Sequence, residues 1–429
     1  MKRAIILIAL LCALARADAQ TGTWSGSLDV QGTKLPLVFH LDEANPTVDS
    51  PNQGAKGIPV QVERTDGGGL VVRIPAIFAE YRGQSDGSRI VGTFSQRGTS
   101  FPLTLTQGEL KRNRPQTPQG PFPYSQEEVS FANGEARLRG TLTLPEGYDR
   151  RTPVLVMVTG SGLQNRDEEI FEHKPFAVIA DALARAGIAT LRYDDRGFGE
   201  STGDAVNCTT EDLKNDALAG IRLLRERFDR VGVIGHSEGG TIALMLAAER
   251  QADFIVSLAG MVVSGSETLL WQNRIAFAAY PAQTVDTYCA LLSGAFEAAV
   301  KGGAMPSAES AELPAELKQN YSVVCKQLQM PYLRYFLSLD MRPLLGGIEC
   351  PVLALNGTKD MQVSCESNLG ALRSGLPSDG RNRIEAAEGL NHMFQHCKTG
   401  ALTEYGEIEE TFAPEVLTAI TMWISNLYK

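Results

Sequence analysis

The sequence predicts an α/β protein in which a doubly wound, mostly parallel sheet carries a helical cap insertion and follows a small antiparallel β domain. Three observations support this fold class. Apolar residues alternate with period two in the first part of the chain. From about Val129, apolar runs alternate with helical patterns instead. A long segment between two of those runs has helical patterning only.

The first 19 residues have the pattern of a secretory signal peptide. Lys2 and Arg3 precede an apolar run, and an Ala-x-Ala site ends at Ala19. A lipoprotein anchor would need a small residue before Cys12, where the chain has Leu11. We therefore expect cleavage after Ala19 and an exported protein, periplasmic or secreted, without a membrane anchor.

Residues 20–106 have the alternation that is typical of β-strands. Leu35, Leu37 and Phe39 share one face of such a strand, and glycine runs such as 67–69 supply turns. We expect a small antiparallel β domain, either a meander or a partly closed barrel. Residues 107–124 contain four prolines, which neither a helix nor a central strand tolerates, and this segment is interpreted as a linker.

Residues 125–429 form the second predicted domain. Apolar runs at 154–158, 188–191, 231–234, 254–258 and 352–355 are typical of buried parallel strands, and helical patterns at 176–186, 211–228 and 241–250 lie between several of them. Parallel strands need crossover helices, so the sheet should have helices on both faces. The helical insertion at about 261–349 should lie as a cap over the carboxyl ends of the strands, where ligands bind in such sheets.

The segment Gly-His-Ser-Glu-Gly-Gly at 235–240 contains the predicted nucleophile. It follows a predicted strand and opens a predicted helix, which is the context of a nucleophile elbow. Glycine leaves room in such a sharp turn where a Cβ atom would clash. The helix N-terminus favours a developing negative charge. These features predict that Ser237 is the nucleophile.

A serine nucleophile needs a base, and the base needs an acid that holds its tautomer. His392 follows the strand-like segment Arg383–Ala387, and His396 is its main competitor. Asp360 lies just past the strand that begins after Cys350. The chain order Ser237, Asp360, His392 is the order expected of a nucleophile-elbow hydrolase, so these three residues are the predicted triad.

The oxyanion of an acyl-transfer intermediate needs two backbone N–H donors. The residue after the nucleophile, Glu238, should supply one of them. The loop after the strand at 154–158 should supply the other, from Ser161 or, as an alternative, from Gly162.

Together these residues resemble the α/β-hydrolase superfamily, and more narrowly the exported bacterial serine carboxylesterases that have an N-terminal β domain and a helical cap. Four segments carry the resemblance, at 159–168, 192–201, 235–240 and 389–394. It covers residues 125–429 well and the β domain more loosely. One departure is Thr159 beside Gly160, where many members have His-Gly.

The resemblance implies hydrolysis of short-chain or aryl carboxylic esters through an acyl-enzyme on Ser237. An exported serine peptidase or aminoacyl amidase with the same triad is the nearest alternative. An acyltransferase is a third. A non-catalytic surface-binding protein is the remaining alternative, but it would have no need of all three triad residues. For the β domain, a scaffold role is favoured over glycan binding.

Composition limits the partners. The chain has 40 basic and 50 acidic residues, a net charge of −10, which argues against nucleic-acid binding. The expected partner is a small-molecule ester, and the oligomeric state is left open. No cofactor is implied, and no third ligand accompanies His392 and His396 to suggest a metal site.

Six cysteines remain after the predicted signal peptide, and an exported protein permits disulfides. The preferred pair is Cys289 with Cys325, which share one helical-looking segment. Cys365 with Cys397 comes second because both lie near the predicted site. For Cys208 and Cys350, buried free thiols are an equal alternative.

Overall fold

The computed structural model describes residues 20–30, 33–42, 44–53, 55–65, 67–109 and 112–428. The predicted signal peptide, residues 1–19, lies outside the described residues. The chain divides into two compact units, Met1–Asn113 and Arg114–Lys429. The division falls within the segment 107–124 that was interpreted as a linker.

The smaller unit is an antiparallel β domain. Its strands are β1 (Thr23–Val30), β2 (Thr33–His40), β3 (Thr47–Ser50), β4 (Ala55–Pro59), β5 (Gln61–Thr65), β6 (Gly69–Ile74), β7 (Ala79–Ser85), β8 (Arg89–Gln96) and β9 (Thr99–Gln107). Short 3-10 helices span Pro51–Gln53 and Pro75–Ile77.

These strands form one nine-stranded sheet in the order β4-β3-β2-β1-β9-β8-β7-β6-β5. The two edge strands, β4 and β5, are separated in the chain by Val60 alone. Because one residue spans only about 3.5 Å, the sheet must curl until its edges are close. The partly closed barrel is therefore the correct one of the two predicted forms. Its core includes Trp24, Phe39 and Tyr81, all fully buried.

The larger unit alternates strands and helices. Its strands are β10 (Tyr124–Asn133), β11 (Ala136–Pro145), β12 (Val154–Val158), β13 (Ala189–Tyr193), β14 (Val231–His236), β15 (Ile255–Leu258), β16 (Val352–Gly357) and β17 (Arg383–Ala387). Its helices are α1 (Pro175–Arg185), α2 (Thr210–Arg225), α3 (Glu238–Ala248), α4 (Gly265–Ala276), α5 (Ala282–Lys301), α6 (Ala315–Gln327), α7 (Pro331–Ser338), α8 (Cys365–Gly375), α9 (Leu402–Tyr405) and α10 (Pro414–Leu427).

The eight strands form a sheet in the order β10-β11-β13-β12-β14-β15-β16-β17. β10, β11 and β13 pair antiparallel, and all later pairs are parallel. Alternate residues of β12 enter separate cores, with Val156 facing α2, α3 and α8 and Leu155 facing α1 and α10. The predicted doubly wound, mostly parallel sheet is confirmed.

The cap consists of α4 to α7 and a 3-10 helix at Arg342–Gly347, all between β15 and β16. It has a small core of its own, which includes Tyr288, Leu292 and Phe296 from α5. Helix α7 also reaches the main core through Phe336. In the part of the chain that the structure describes, no helix is both long and apolar enough to cross a membrane.

The six described cysteines are free thiols, so the two preferred disulfides are not formed. Cys289 lies on α5 and Cys325 on α6, rather than on one continuous helix. In the second pair, the Cys365 Sγ contacts the Asn356 carbonyl oxygen and the Cys397 Sγ contacts that of Gly389, each at 3.5 Å. The sequence pattern missed the break between α5 and α6.

Candidate active site

Ser237 occupies a strained turn between β14 and α3. Its φ and ψ are 53° and −117°, a conformation that a non-glycine residue rarely adopts. Its N–H donates to the Leu258 carbonyl oxygen of the neighbouring strand at 2.8 Å, which ties the turn to the sheet. The turn therefore has the geometry of a nucleophile elbow.

The flanking glycines are required by close backbone contacts. A Cβ atom on Gly235 would lie 2.0 Å from the Gly239 carbonyl oxygen. A Cβ atom on Gly239 would lie 2.0 Å from the Val158 carbonyl oxygen at the end of β12. Neither position tolerates a side chain without moving the backbone, so the glycines allow the elbow to pack against β12.

Asp360 and His392 meet in a buried pair. Asp360 follows β16 and His392 follows β17, so both lie at the carboxyl edge of the parallel sheet. The His392 Nδ1 lies 2.7 Å from the Asp360 Oδ2, and neither side chain is more than 4% exposed. Nδ1–H therefore donates to the carboxylate, which leaves Nε2 to accept a proton.

Three further donors hold the Asp360 carboxylate. The backbone N–H groups of Gln362 and Val363 donate to its Oδ1 at 2.7 and 2.9 Å, and the Asn356 side-chain amide donates to its Oδ2 at 3.0 Å. A carboxylate with several donors is fixed in position. Asp360 is thus arranged to orient His392.

The oxyanion loop is the segment 159–168, which follows β12 and lies beside the nucleophile. A Cβ atom on Gly160 would lie 3.2 Å from the Ser237 Cβ. The Gly160 N–H donates to the Glu168 Oε1 at 2.8 Å, so it is already engaged. Ser161, the next residue, and Glu238, the first residue of α3, line one cavity with Ser237. The structure thus brings the predicted donor residues to the nucleophile.

A cavity of about 300 Å³ contains Ser237 and His392. Part of its lining is apolar and comes from both the main domain and the cap, with Met261, Leu269, Leu333, Phe336, Val363 and Met393. Two aromatic residues of α7, Tyr332 and Phe336, line it. A volume near 300 Å³ is at the small end of the range for small-molecule sites.

The Glu238 side chain is a buried polar feature of the cavity wall, and the sequence pattern did not reveal it. It is 2% exposed and accepts hydrogen bonds from the hydroxyl groups of Thr210 at 2.5 Å and Tyr332 at 2.6 Å. Burial raises its pKa, although the hydrogen bonds from Thr210, Tyr332 and Ser161 act in the opposite direction. Glu238 therefore joins the core, the cap and the oxyanion loop.

His236 and Glu168 form a buried pair next to the triad. The His236 Nδ1 lies 2.9 Å from the Glu168 Oε1, and its Nε2 lies 2.9 Å from the His392 carbonyl oxygen. His236 therefore points away from the Ser237 hydroxyl, as its adjacent position in the chain predicted. His396, the competing base, is 57% exposed and pairs with Glu410 and Glu415 instead.

Thr159, the departure from the His-Gly pattern, has a structural role. Its hydroxyl lies 2.8 and 3.0 Å from the two carboxylate oxygens of Asp195, and the Gln164 N–H also donates to Asp195. Burial raises the pKa of Asp195 to about 7, against the effect of these hydrogen bonds. Asp194 in turn accepts hydrogen bonds from Arg166. The Asp194-Asp195 pair thus braces the oxyanion loop.

Within the described residues, no group of three or more His, Cys, Asp or Glu side chains is arranged to hold a metal ion.

Comparison with known families gives a match over residues 172–396, which is more than half of the chain. The matched family, Hydrolase_4, is described as serine aminopeptidase, S33. The chain belongs to this family. The match to Hydrolase_4 includes the elbow, Asp360 and His392, and it confirms the resemblance to α/β-hydrolases.

Among curated proteins, the chain is similar to Esterase EstD of Thermotoga maritima. The two sequences are 35% identical over 141 residues, which is 32% of this chain and 33% of EstD. The match therefore spans about a third of the length of the relative.

Solved structures of similar fold include two esterases. Est1E from Butyrivibrio proteoclasticus is 16% identical, with a TM-score of 0.41 over 70% of this chain and 98% of Est1E. The Pyrococcus furiosus esterase Pf2001 is 14% identical, with a TM-score of 0.45 over 75% of this chain and 100% of Pf2001. A proline iminopeptidase from Mycobacterium smegmatis is 15% identical, with a TM-score of 0.43 over 70% of this chain and 99% of that protein.

Proposed function

We propose that this Hydrolase_4 member is a serine carboxylesterase that hydrolyses short-chain or aryl carboxylic esters through an acyl-enzyme on Ser237. The observation that carries the proposal is the geometry at the carboxyl edge of the sheet. His392, which is bonded to the buried Asp360, lines the same cavity as a serine held in a strained strand-to-helix turn.

In the proposed reaction, the Ser237 hydroxyl attacks the ester carbonyl and His392 Nε2 accepts its proton. The N–H groups of Ser161 and Glu238 stabilise the oxyanion, helped by the N-terminus of α3. His392 then returns the proton to the leaving alcohol. Water removes the acyl group by the same route, and Asp360 stabilises the imidazolium in both halves.

Two observations support an ester substrate of modest size. The cavity of about 300 Å³ is lined partly by apolar side chains from the cap, which suits a short acyl or aryl group. The curated relative is named an esterase, although the match covers a third of it.

The test is hydrolysis of p-nitrophenyl acetate, butyrate and octanoate by the purified protein and by Ser237→Ala. We expect activity that falls with chain length and drops by about 10³-fold or more in the variant. His396→Gln is the control, since His396 lies outside the cavity. Equal turnover by the wild-type protein and Ser237→Ala would contradict the assignment of the nucleophile.

Amide hydrolysis is the second candidate, and one observation favours it. Glu238 lines the cavity beside Ser237, and within the described residues its carboxyl group has hydroxyl partners only, those of Thr210, Tyr332 and Ser161. Such a carboxyl group is chemically suited to a substrate amine. Turnover of aminoacyl p-nitroanilides above that of the esters, lost in Glu238→Gln, would favour this candidate.

We further propose that the protein is exported and that residues 1–19 are removed. The basic start, apolar run and Ala-x-Ala site support this proposal. Intact mass measurement of protein from the periplasm of an expressing bacterium would test it. A mass corresponding to the full 429 residues would contradict it.

A further inference from the structure

Both ring nitrogens of His236 face hydrogen-bond acceptors. Nε2 lies 2.9 Å from the His392 carbonyl oxygen, which can only accept, so Nε2 carries a hydrogen. Nδ1 lies 2.9 Å from the Glu168 Oε1. That oxygen also accepts from the Gly160 N–H at 2.8 Å, as an ionised carboxylate would. The hydrogen-bond pattern therefore fits a doubly protonated, positively charged His236.

The surroundings of the pair favour this charge state. The side chains of His236 and Glu168 are 7% and 3% exposed, so each charge needs the other. Burial by itself lowers the pKa of His236, but the charge and hydrogen bond of Glu168, the His392 carbonyl and Asp360 together raise it above the ordinary value of 6.5.

The pair connects three segments of the proposed active site. His236 ends β14 next to the nucleophile, Glu168 closes the oxyanion loop, and the His392 carbonyl belongs to the loop of the proposed base. The ring centroids of His236 and His392 are 4.7 Å apart. A charge on His236 therefore acts directly on His392 as well as holding its backbone.

We propose that Glu168 and His236 form a permanent buried ion pair that positions His392 and the oxyanion loop and that holds a positive charge against the His392 imidazole. The inference rests on the proposed role of His392 as the base. Glu168 and His236 are positioning residues, because they act through His392 and Gly160 rather than on the substrate.

Titratable groups from several elements surround His392. Asp360 faces Nδ1 from the loop after β16, and His236 with Glu168 behind it approaches from β14 and the oxyanion loop. Glu238 lines the same cavity from α3, and the α9 residue Tyr405 bonds the His392 backbone. The two carboxylates Asp360 and Glu168 can balance two imidazoliums when His392 takes the serine proton.

The positive His236 opposes a second positive charge on its neighbour His392. This repulsion favours return of the proton from His392 to the leaving group. Removing the charge while keeping a donor separates this electrostatic effect from a structural one. Glutamine at position 236 meets both conditions, because its amide donates but carries no charge.

The first test is the pH dependence of kcat/KM for p-nitrophenyl acetate in His236→Gln, with His396→Gln as the matched control at an exposed histidine. We expect the acid limb to move to higher pH by about one unit or more in His236→Gln, because two charges this close interact strongly at a buried site. The control should keep the wild-type limb. A uniform loss of kcat with an unmoved acid limb would overturn the proposal and leave a structural role only.

The second test uses no ester turnover and no variant. Long-range ¹H–¹⁵N spectra of the histidine rings in the wild-type protein should show both nitrogens of His236 protonated at pH 7. A neutral tautomer at that pH would overturn the proposal even if His236→Gln failed to fold. The rate at which a fluorophosphonate modifies Ser237 depends on the same base and gives the acid limb without an ester substrate. If the wild-type protein cleaves no ester but the acid limb of this rate is shifted in His236→Gln, the result contradicts the proposed function and supports the ion pair.

Discussion

At the scale of single residues, the candidate site depends on how buried charges are compensated. Asp360 has four donors, and Glu168 has a histidine and a backbone N–H. The donors that reach Asp195 within the described residues, the Thr159 hydroxyl and the Gln164 N–H, are neutral. Buried carboxyl groups in one domain therefore differ in the number and kind of the donors that compensate them.

The orientation of His392 by Asp360 leads to the first prediction. Asp360→Asn should lower kcat by about 10³- to 10⁴-fold with a small change in KM, because an amide can stabilise the wrong imidazole tautomer. Steady-state kinetics on p-nitrophenyl butyrate measure this. Asp379→Asn, an equivalent change at the surface residue that bonds Arg381, serves as the control. A loss of less than tenfold in Asp360→Asn would remove Asp360 from the triad.

Asp195 leads to a prediction about stability and pH. Its pKa is 3.8 in the unfolded chain and about 7 in the folded protein, so between these values the folded state binds more protons. The free energy of unfolding contributed by this group therefore falls as the pH rises through that interval. Asp195→Asn should remove this loss, so its free energy of unfolding relative to the wild-type protein should rise by on the order of 4 kcal/mol between pH 4 and pH 8.

Thermal unfolding of both proteins between pH 4 and 8 measures this trend. Asp204→Asn is the control and should show no trend in this interval, since the Asn207 side chain and neighbouring N–H groups lower the pKa of Asp204 and its effect on stability changes only at more acidic pH. Parallel Tm curves for Asp195→Asn and the wild-type protein would contradict the prediction.

The three residues of the proposed triad could be located from the sequence, whereas the residues that support them could not. Ser237, Asp360 and His392 each follow a recognisable strand, and their chain order is specific to the fold. Glu168 and His236 are 68 residues apart, and no local pattern indicates that they meet. Such contacts depend on the way loops fold over the sheet, which periodicity does not record.

At the scale of elements, helix α7 attaches the cap to the main domain. Two of its tyrosine hydroxyl groups donate hydrogen bonds to carboxyl groups of the main domain. Tyr332 donates to Glu238 at 2.6 Å, and Tyr335 donates to Glu211 at 2.7 Å. Helix α7 thus fixes the cap over the cavity by hydrogen bonds in addition to the apolar contact of Phe336.

Removing either hydroxyl group should loosen the attachment of the cap, but the two variants should differ in activity. Tyr335→Phe should cost about 1 to 2 kcal/mol locally and speed amide hydrogen exchange in α7, with kcat nearly unchanged. Tyr332→Phe should do the same and also lower kcat/KM, because it withdraws a donor from Glu238 in the cavity wall. Equal kinetics for the two variants would contradict a special role of the Glu238 contact.

Strand positions were predicted more accurately than helix starts. β12 and β17 have the predicted bounds, whereas α3 begins at Glu238 rather than at 241. The strained elbow leads directly into α3. The first turn of this helix contains Gly239 and Gly240, which are poor helix formers, so the sequence pattern indicated the helix only from position 241. The cap was predicted only as a helical region, because its helices pack on one another and partly on the main core.

At the scale of the whole molecule, each of the two units has a hydrophobic core of its own. We therefore expect two calorimetric transitions in thermal unfolding. Modification of Ser237 by a fluorophosphonate should raise the Tm of one transition only, that of the unit Arg114–Lys429. Separate expression of 114–429 should retain kcat/KM within about twofold, since this unit contains the whole cavity. A single transition that shifts as a whole would contradict this independence.

The curled sheet of the smaller unit has a consequence for behaviour in concentrated solution. Its two edge strands, β4 and β5, meet at Val60, and both are largely exposed and carry Lys56, Glu63 and Arg64. Charged side chains on an edge strand disfavour pairing with a foreign strand. The nine-stranded domain is thereby protected from the edge-to-edge polymerisation that leads to fibrils.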